Sequence, residues 1–533
     1  QHYYPVGPAV ETATTGWGLG SWGGQQQGQF TSTLSSGINA SVTSLTLASA
    51  SSFASSGTVQ IGTELITYTG NSGNTLSGLT RGATGTTAAI HSSGATVTDA
   101  SNYFAWNSAA SGDIVTAPGL WSLDNFGNKL IATINGGESF EWDSNPTTAN
   151  ATRATIISGA PTSSAFSLVS TPDRHLIFFG TETTIGTKST QDPMFVRFSS
   201  QEDINTYAPS ATNTAGTQRL ADGSKIVGAI RGRDAIYVWT DTALFTMRFV
   251  GPPFTFSFQQ VGTNCGLIGQ NAAVEVDGTA YWMSENGFFR YTGRLESLPC
   301  LVEDHVFDDI NTIPKQHINA GLNNLFGEVV WFYPNSGSGT VNRMVTYNYL
   351  DSSAERPVWT TGTLARTAWQ DSAVFGKPHA TEYDTSSNGT SGSSTFVQGN
   401  VDGVSYYYEH ETGLDQIREG ATTSITASIE SGDFDIGQQG LAGDGEFMMK
   451  IRRVLPDFLA QTGDARLTLN LRDFPNDTQA SSSLGPFIVN NSTKKIDTRA
   501  RARSISLKID NTSTSQFWKL GTFRIDYQPD GRR

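Results

Sequence analysis

The sequence predicts an all-β protein: a β-propeller-like body of about six blades, a small inserted β module and a C-terminal β-sandwich-like domain. Three observations carry that expectation. Apolar or aromatic runs of four to eight residues alternate along the chain with Gly, Asn, Asp and Ser turns, a strand-and-turn pattern rather than a helical one. The 533 residues include 56 glycines and 11% aromatics but only 15% charged residues, against about 25% in an average globular chain. No Ala/Glu/Lys/Leu-rich heptad run is present, which excludes a coiled coil or helical bundle, and the aromatic content excludes a disordered chain. Third, an aromatic strand motif recurs about six times between residues 103 and 430, at a spacing of roughly 40–55 residues, as repeated blades would require.

In chain order, residues 1–36 read as an N-terminal segment joining the body. Gly18-Leu19-Gly20-Ser21-Trp22-Gly23 fits G-x-G-x-x-G, but without a strand before it or a helix after it the run reads as a Gly/Trp-rich packing loop, not a dinucleotide site. Residues 37–102 contain no tryptophan and many small residues, as expected of a compact module set on a loop. Residues 103–430 form the body. Each unit there has an apolar strand and then aromatic strands: Leu130 and Ile134 lead to Phe140 and Trp142, Leu176 and Phe179 to Phe195 and Phe198, Ile226 and Ile230 to Tyr237 and Trp239. Ala273 and Val276 lead in the same way to Tyr281 and Trp282, Val329 and Trp331 to Tyr347 and Tyr349, and Thr367 and Trp369 to Tyr406, Tyr407 and Tyr408. The tyrosine triplet reads as the inner strand of a blade, with sugar stacking as the functional alternative. Asn135-Gly136, Asp277-Gly278, Asn286-Gly287 and Asp402-Gly403 supply the positive φ of tight hairpins. One short helix is expected near 303–310, with Val306 and Ile310 on one face. A meandering sandwich with accidental spacing is the alternative to the propeller.

Residues 431–533 read as a basic C-terminal β domain. Leu467, Leu469 and Leu471 share one face of a strand, as do Phe523, Ile525 and Tyr527. Residues 450–533 carry 15 Lys+Arg and 8 Asp+Glu, net +7, whereas residues 1–449 sum to −21. Within that basic stretch, 499–509 reads as one continuous strand. Its odd positions are Arg499, Arg501, Arg503, then Ile505, Leu507 and Ile509, so one face starts cationic and ends apolar. Such a strand projects Arg499, Arg501 and Arg503 as candidate inter-subunit or adaptor contacts; a solvated strand end is the alternative.

Chemistry is otherwise sparse. There is no Walker loop, H-E-x-x-H, G-x-S-x-G or C-x-x-C, and the seven histidines lack metal-site spacing. No catalytic residue, metal or cofactor is therefore expected. Cys265 and Cys300 read as free buried thiols, with a bridge as the alternative. The acidic pair Asp308-Asp309 reads as a solvated helix face. No apolar stretch reaches the ~18 residues of a membrane span, and no basic-then-apolar leader follows Gln1.

Several stretches resemble the tail hub and nozzle proteins of short-tailed phages, a group that includes packaged-DNA stabilisation proteins. They are Lys225 to Thr240 (KIVGAIRGRDAIYVWT), Cys265-Gly266-Leu267-Ile268 with Ala280-Tyr281-Trp282-Met283-Ser284, and Asn342 to Tyr349 followed by Pro357-Val358-Trp359. Gly463-Asp464-Ala465-Arg466, the run from Arg499 to Arg503 and Asp526-Tyr527-Gln528 belong to the same likeness, which covers about 1–36 and 103–533. The insert departs from that plan: Ile61 to Gly70 with Leu79 to Thr87 resembles a small β module appended to many phage structural proteins, as decoration, clamp or surface contact. The resemblance implies a non-enzymatic virion protein of the tail, assembled in the bacterial host cytoplasm. Its partners would be five further copies in a homohexameric ring, the tail adaptor ring, and tail fibres or tailspikes. Phage DNA would pass through the lumen without specific binding, along a net acidic bore. A carbohydrate-binding or depolymerising tail protein is the alternative function, and a secreted propeller lectin a more distant one.

Overall fold

The computed structural model describes residues 4–5, 31–100, 120–143, 154–171, 173–372, 375–384, 404–418, 420–437, 440–441, 446–474, 480 and 482–531. They divide into two compact units, 1–410 and 411–533. The Gly18 to Gly23 run and the Asp402-Gly403 turn lie outside the described residues.

The first unit contains a six-bladed β-propeller built from antiparallel four-stranded sheets, not the two packed sheets of a sandwich. Blade 1 runs through Trp121–Phe126, Lys129–Ile134, Ser139–Asp143 and Thr155–Ile156. Blade 2 runs through Phe166–Val169, Leu176–Phe179, Phe195–Phe198 and Gly216–Arg219. Blade 3 comprises Ile226–Arg231, Ile236–Thr240, Ala243–Gly251 and Thr255–Thr263, and blade 4 Ala273–Val276, Thr279–Ser284, Gly287–Tyr291 and Leu295–Ser297. Blade 5 comprises Asn319–Asn323, Glu328–Tyr333, Arg343–Asn348 and Val358–Gly362. Within each blade, strands pair in chain order, and the first strands of consecutive blades from 1 to 6 lie against one another.

Blade 6 is assembled from both ends of the unit. Ala368–Gln370, His379–Asp384 and Val404–Glu409 supply three strands, and Tyr4–Pro5 pairs as the fourth, with Tyr4 opposite Ser405 and Pro5 opposite Val404. An outer strand is where a proline is tolerated, since its missing N–H would face outward. The strand Val404–Glu409 is thus third in its blade, not inner. Tyr406 and Tyr408 are buried, while Tyr407 turns outward and stacks on His379 at 5.3 Å.

Blades pack face to face through aromatic cores. Trp239, Trp282 and Trp331 occupy the second strands of blades 3, 4 and 5 and are fully buried in one cluster. Trp239 and Trp282 sit 5.3 Å apart. Two indole N–H groups then fasten blades to connecting segments: Trp282 donates to Cys265 O at 2.8 Å and Trp331 to Ala272 O at 3.0 Å. At Trp282 and Trp331 a buried indole keeps its apolar area and satisfies its one donor, whereas the Trp239 indole N–H is buried without a partner among the described residues. The connections run so close that a Cβ on Gly266 would collide with Asp241 O, which accounts for the glycine there. Asp277 and Gly278 both take positive φ, 51° and 84°, in the hairpin that opens blade 4.

Between the first strand and blade 1 lies the inserted module, whose strands begin at Thr31–Thr33 and end at Thr96–Asp99. Its core (among others Leu34, Leu45, Val59, Ile61, Ile66 and Val97) forms its own cluster. Beside that core lies a fully buried Glu64 carboxylate. Arg81 grips it with two bonds of 2.7 and 2.8 Å, His91 sits at 2.8 Å, and the Gly82 and Ala89 N–H groups donate at 3.0 Å. Burial alone would raise this carboxyl; the Arg81 side chain, the Ala89 N–H, His91 and the Gly82 N–H outweigh burial and hold it down at about 2.

The second unit packs two sheets around a core that joins Leu467, Leu469, Ile505 and Ile509 to Met449, Ile451, Ala500 and Ala502. One sheet has the order Gly440–Leu441, Phe434–Gly437, Ser504–Asp510, Ala465–Arg472, Ser482–Val489; the other has Ile496–Ala502, Met449–Leu455, Arg524–Pro529. The strand Ser428–Glu430 also pairs with Ser504–Asp510. The boundary therefore falls at 410, not 430. That move changes the charge reading. Residues 411–449 bring eight acidic residues, so the unit carries 16 basic and 16 acidic residues and is neutral, leaving −14 on residues 1–410. Asp433, from the acidic stretch, pairs with Arg472 at 2.8 Å.

Candidate functional site

The three arginines do not share one strand. The first strand ends at Ala502 and the next begins at Ser504; at Arg503 the chain crosses from one sheet to the other, its N–H donating to Arg472 O at 3.1 Å. The crossing resets the alternation. Before it the even positions Ala500 and Ala502 point inward, and after it the odd positions Ile505, Leu507 and Ile509 do. The alternating R-A-R-A-R-S-I-S-L-K-I run conceals that corner, because both halves keep a period of two.

The three arginines also differ in engagement. Arg501, 43% exposed along its side chain, pairs with Asp530 at 2.6 Å. Arg503 is half-buried and donates to the carbonyls of Asp473 at 3.0 Å and Glu446 at 3.4 Å, so it holds the corner. Arg499 is exposed and forms no ion pair among the described residues. Its surroundings add what the sequence pattern missed. In the sheet register Lys450 lies directly opposite Arg501, and a bulge between Ile451 and Arg453 turns Arg452 out to solvent on the neighbouring strand. Like charges directly opposite on a sheet repel. Arg453 is neutralised by Asp497 at 2.9 Å, whereas Lys450, Arg452 and Arg499 have no carboxylate in contact among the described residues. This outward face is a cationic surface.

The first unit presents a complementary feature. Its one α-helix among the described residues, Glu303–Phe307, links blade 4 to blade 5 and buries Val306. Asp304, Asp308 and Asp309 line an open cleft of about 630 Å³ together with Tyr333, Arg343 and Gly362. Asp308-Asp309 is only partly the solvated face expected: Arg343 reaches Asp309 at 3.3 Å, while Asp308 is exposed. The Tyr333 hydroxyl is buried without a partner. Burial first, then the Asp309 charge, push that phenol up to about 12. No sequence signal marks it, since V-V-W-F-Y reads simply as a core strand.

Other reactive groups are enclosed. His175 bridges Asp173 at 3.1 Å and Thr214 at 3.2 Å, an arrangement shaped like a catalytic relay. The imidazole is fully buried among Phe198, Phe249 and Phe256, and the Thr214 hydroxyl already accepts the Gln201 N–H at 2.7 Å. The imidazole itself has no exposed surface, whereas Thr214 is half-buried. Cys265 and Cys300 are free thiols, and burial pushes both up to about 11, far from the thiolate that reacts. Among the described residues no group of three His, Cys, Asp or Glu could hold a metal ion, and no helix is long and apolar enough to cross a membrane.

No family model and no curated protein matches this chain. Among solved structures it is loosely similar to the dihydro-heme d1 dehydrogenase NirN, at 10% identity and a TM-score of 0.31, covering 62% of this chain and 58% of that one. BamB from Moraxella catarrhalis gives 12% identity and a TM-score of 0.28, over 56% of this chain and 85% of that one. AztD from Citrobacter koseri gives 9% and 0.26, over 63% and 98%. The chain spans 58% of the length of the first of these. Likenesses this loose have no bearing on activity; the propeller rests on the sheet order itself.

Proposed function

We propose that this chain is a structural protein of a short-tailed phage tail, a hub or nozzle subunit whose homohexameric ring extends the DNA channel below the adaptor ring and closes it until infection. The observation that carries this reading is the construction of the body. Six aromatic-cored blades share buried faces and are joined at both ends by the pairing of Tyr4–Pro5 with Val404–Glu409. A wall that must resist pressure benefits from such stiffness and from few free sheet edges.

Charge supports the same reading. Residues 1–410 carry −14, and a ring of acidic bodies repels phosphates, so duplex DNA slides past without adhering. The cationic outward face of the second unit, with Arg499 at its centre, suits contact with a neighbouring subunit or an acidic adaptor surface. Arg503, held by backbone carbonyls, serves that face by fixing its corner. Ring closure requires one heterologous interface repeated around the axis. Negative-stain imaging of the purified full chain tests the reading: sixfold rings with an axial hole are expected, and isolated single propellers would refute it.

A further inference from the structure

We propose that the cleft beside the helix Glu303–Phe307 receives an arginine from the cationic sheet face of a second copy of this chain. The inference rests on the ring reading above and names its interface. Asp304 and Asp308 are exposed and bear no cation among the described residues, and Asp309 is only partly compensated by Arg343 at 3.3 Å. Acidic side chains alone would be an ordinary solvated helix face. The Tyr333 hydroxyl separates this cleft from that case. It is fully buried, has no hydrogen-bond partner among the described residues, and belongs to a residue that lines the cleft with Asp309 and Arg343. A buried hydroxyl without a partner is costly, and few native groups remain so. A guanidinium entering between Asp308 and Asp309 brings a donor to each carboxylate and a further N–H toward the phenol oxygen.

The occupant follows from charge and exposure. On the sheet formed by Met449–Leu455, Ile496–Ala502 and Arg524–Pro529, Arg499 and Arg452 are exposed and form no ion pair among the described residues, while Arg501 and Arg453 are already matched to Asp530 and Asp497. An arginine fork suits paired carboxylates better than the point charge of Lys450. Two apolar side chains close to the helix in sequence, Leu301 and Ile313, are also 76% and 89% exposed. Apolar side chains around a charged anchor are the anatomy of a protein interface rather than of a small-ion site.

Charge reversal tests the pairing on the full chain. Asp304→Arg with Asp308→Arg, and separately Arg452→Glu with Arg499→Glu, should each weaken assembly at least about a hundredfold, read as the concentration of half-dissociation by mass photometry. Mixing the two reversed proteins should restore mixed rings, because each supplies the charge the other has lost. Tyr333→Phe covers the case of a misfolded reversal. It removes only the unpartnered hydroxyl, so the thermal midpoint of the isolated chain should hold or rise, while assembly weakens roughly tenfold to a hundredfold. If the wild-type chain forms rings and all three variants form them equally well, this interface is wrong and the ring stands. If the wild-type chain stays monomeric at every concentration, the ring reading fails and takes the interface with it.

Discussion

Replacing Glu64 by Gln should remove a large share of the inserted module's stability while leaving the propeller intact. The magnitude follows from the five hydrogen bonds that converge on the carboxylate. Three come to one oxygen, from Arg81 Nη2, the Ala89 N–H and His91; two come to the other, from Arg81 Nε and the Gly82 N–H. An amide retains one oxygen acceptor but turns an NH2 toward the remaining donors. It also leaves the Arg81 guanidinium, 7% exposed, without its counter-charge. Breaking a buried pair in this way costs about 3–5 kcal/mol. A module of some 70 residues has about 4–10 kcal/mol to lose, at roughly 0.05–0.15 kcal/mol per residue. Hydrogen exchange reads the effect locally: protection across Gly57–Ile61 and Glu64–Tyr68 should fall by roughly two to nearly four powers of ten. Tryptophan emission reports the rest of the chain, because residues 31–100 contain no tryptophan, and its transition should not move. Wild-type protection in the Gln variant would refute the reasoning. The same carboxylate sets an acid limit. Its folded value near 2 lies below the ordinary 4.5, so its stabilisation is complete above about 4.5 and is lost as pH falls toward 2.

Other positions make separate claims. Trp282→Ala removes a fully buried indole and its bond to Cys265 O, and should cost the propeller about 3–5 kcal/mol in denaturant melts. Gly266→Ala forces a Cβ onto the Asp241 carbonyl and should lower the thermal midpoint of the body, where Gly293→Ala, with open space around it, changes local backbone strain alone. His410 is half-buried, accepts the Arg366 Nε–H at 2.8 Å, and is held down at about 3 by burial first, then by Arg366 and His379. The unfolded chain therefore takes up a proton first, so stability is full above about pH 6.5 and falls by about 1.4 kcal/mol per unit as pH drops toward 3. His410→Gln should flatten that slope in urea titrations across pH 3–7, and an unchanged slope would contradict the assignment.

Much of the propeller was legible because each blade repeats a local rule. Six aromatic strand units correspond to six sheets, and Asn135-Gly136, Asp277-Gly278 and Asn286-Gly287 sit at hairpins. The sixth blade was less legible, since the pairing of Tyr4 with Ser405 spans nearly the whole first unit and leaves no local trace. The arginine run misled for the opposite reason. A corner at Arg503 preserves the period-two pattern on both sides, so one strand and two strands read alike. The basic character assigned to the C-terminal domain dissolved because the sum of +7 began at residue 450 and left out the eight acidic residues of 411–449, four of them between 431 and 449. The unpartnered Tyr333 hydroxyl and the bulge at Arg452 are products of packing and register, which no residue pattern announces.

Native mass spectrometry of the full-length chain addresses the central claim most directly. On the proposed function, the 57.1 kDa chain should be recorded as a closed assembly of six, stable without added ligand. A monomer that persists into the micromolar range would contradict the account of this protein as a ring-forming conduit.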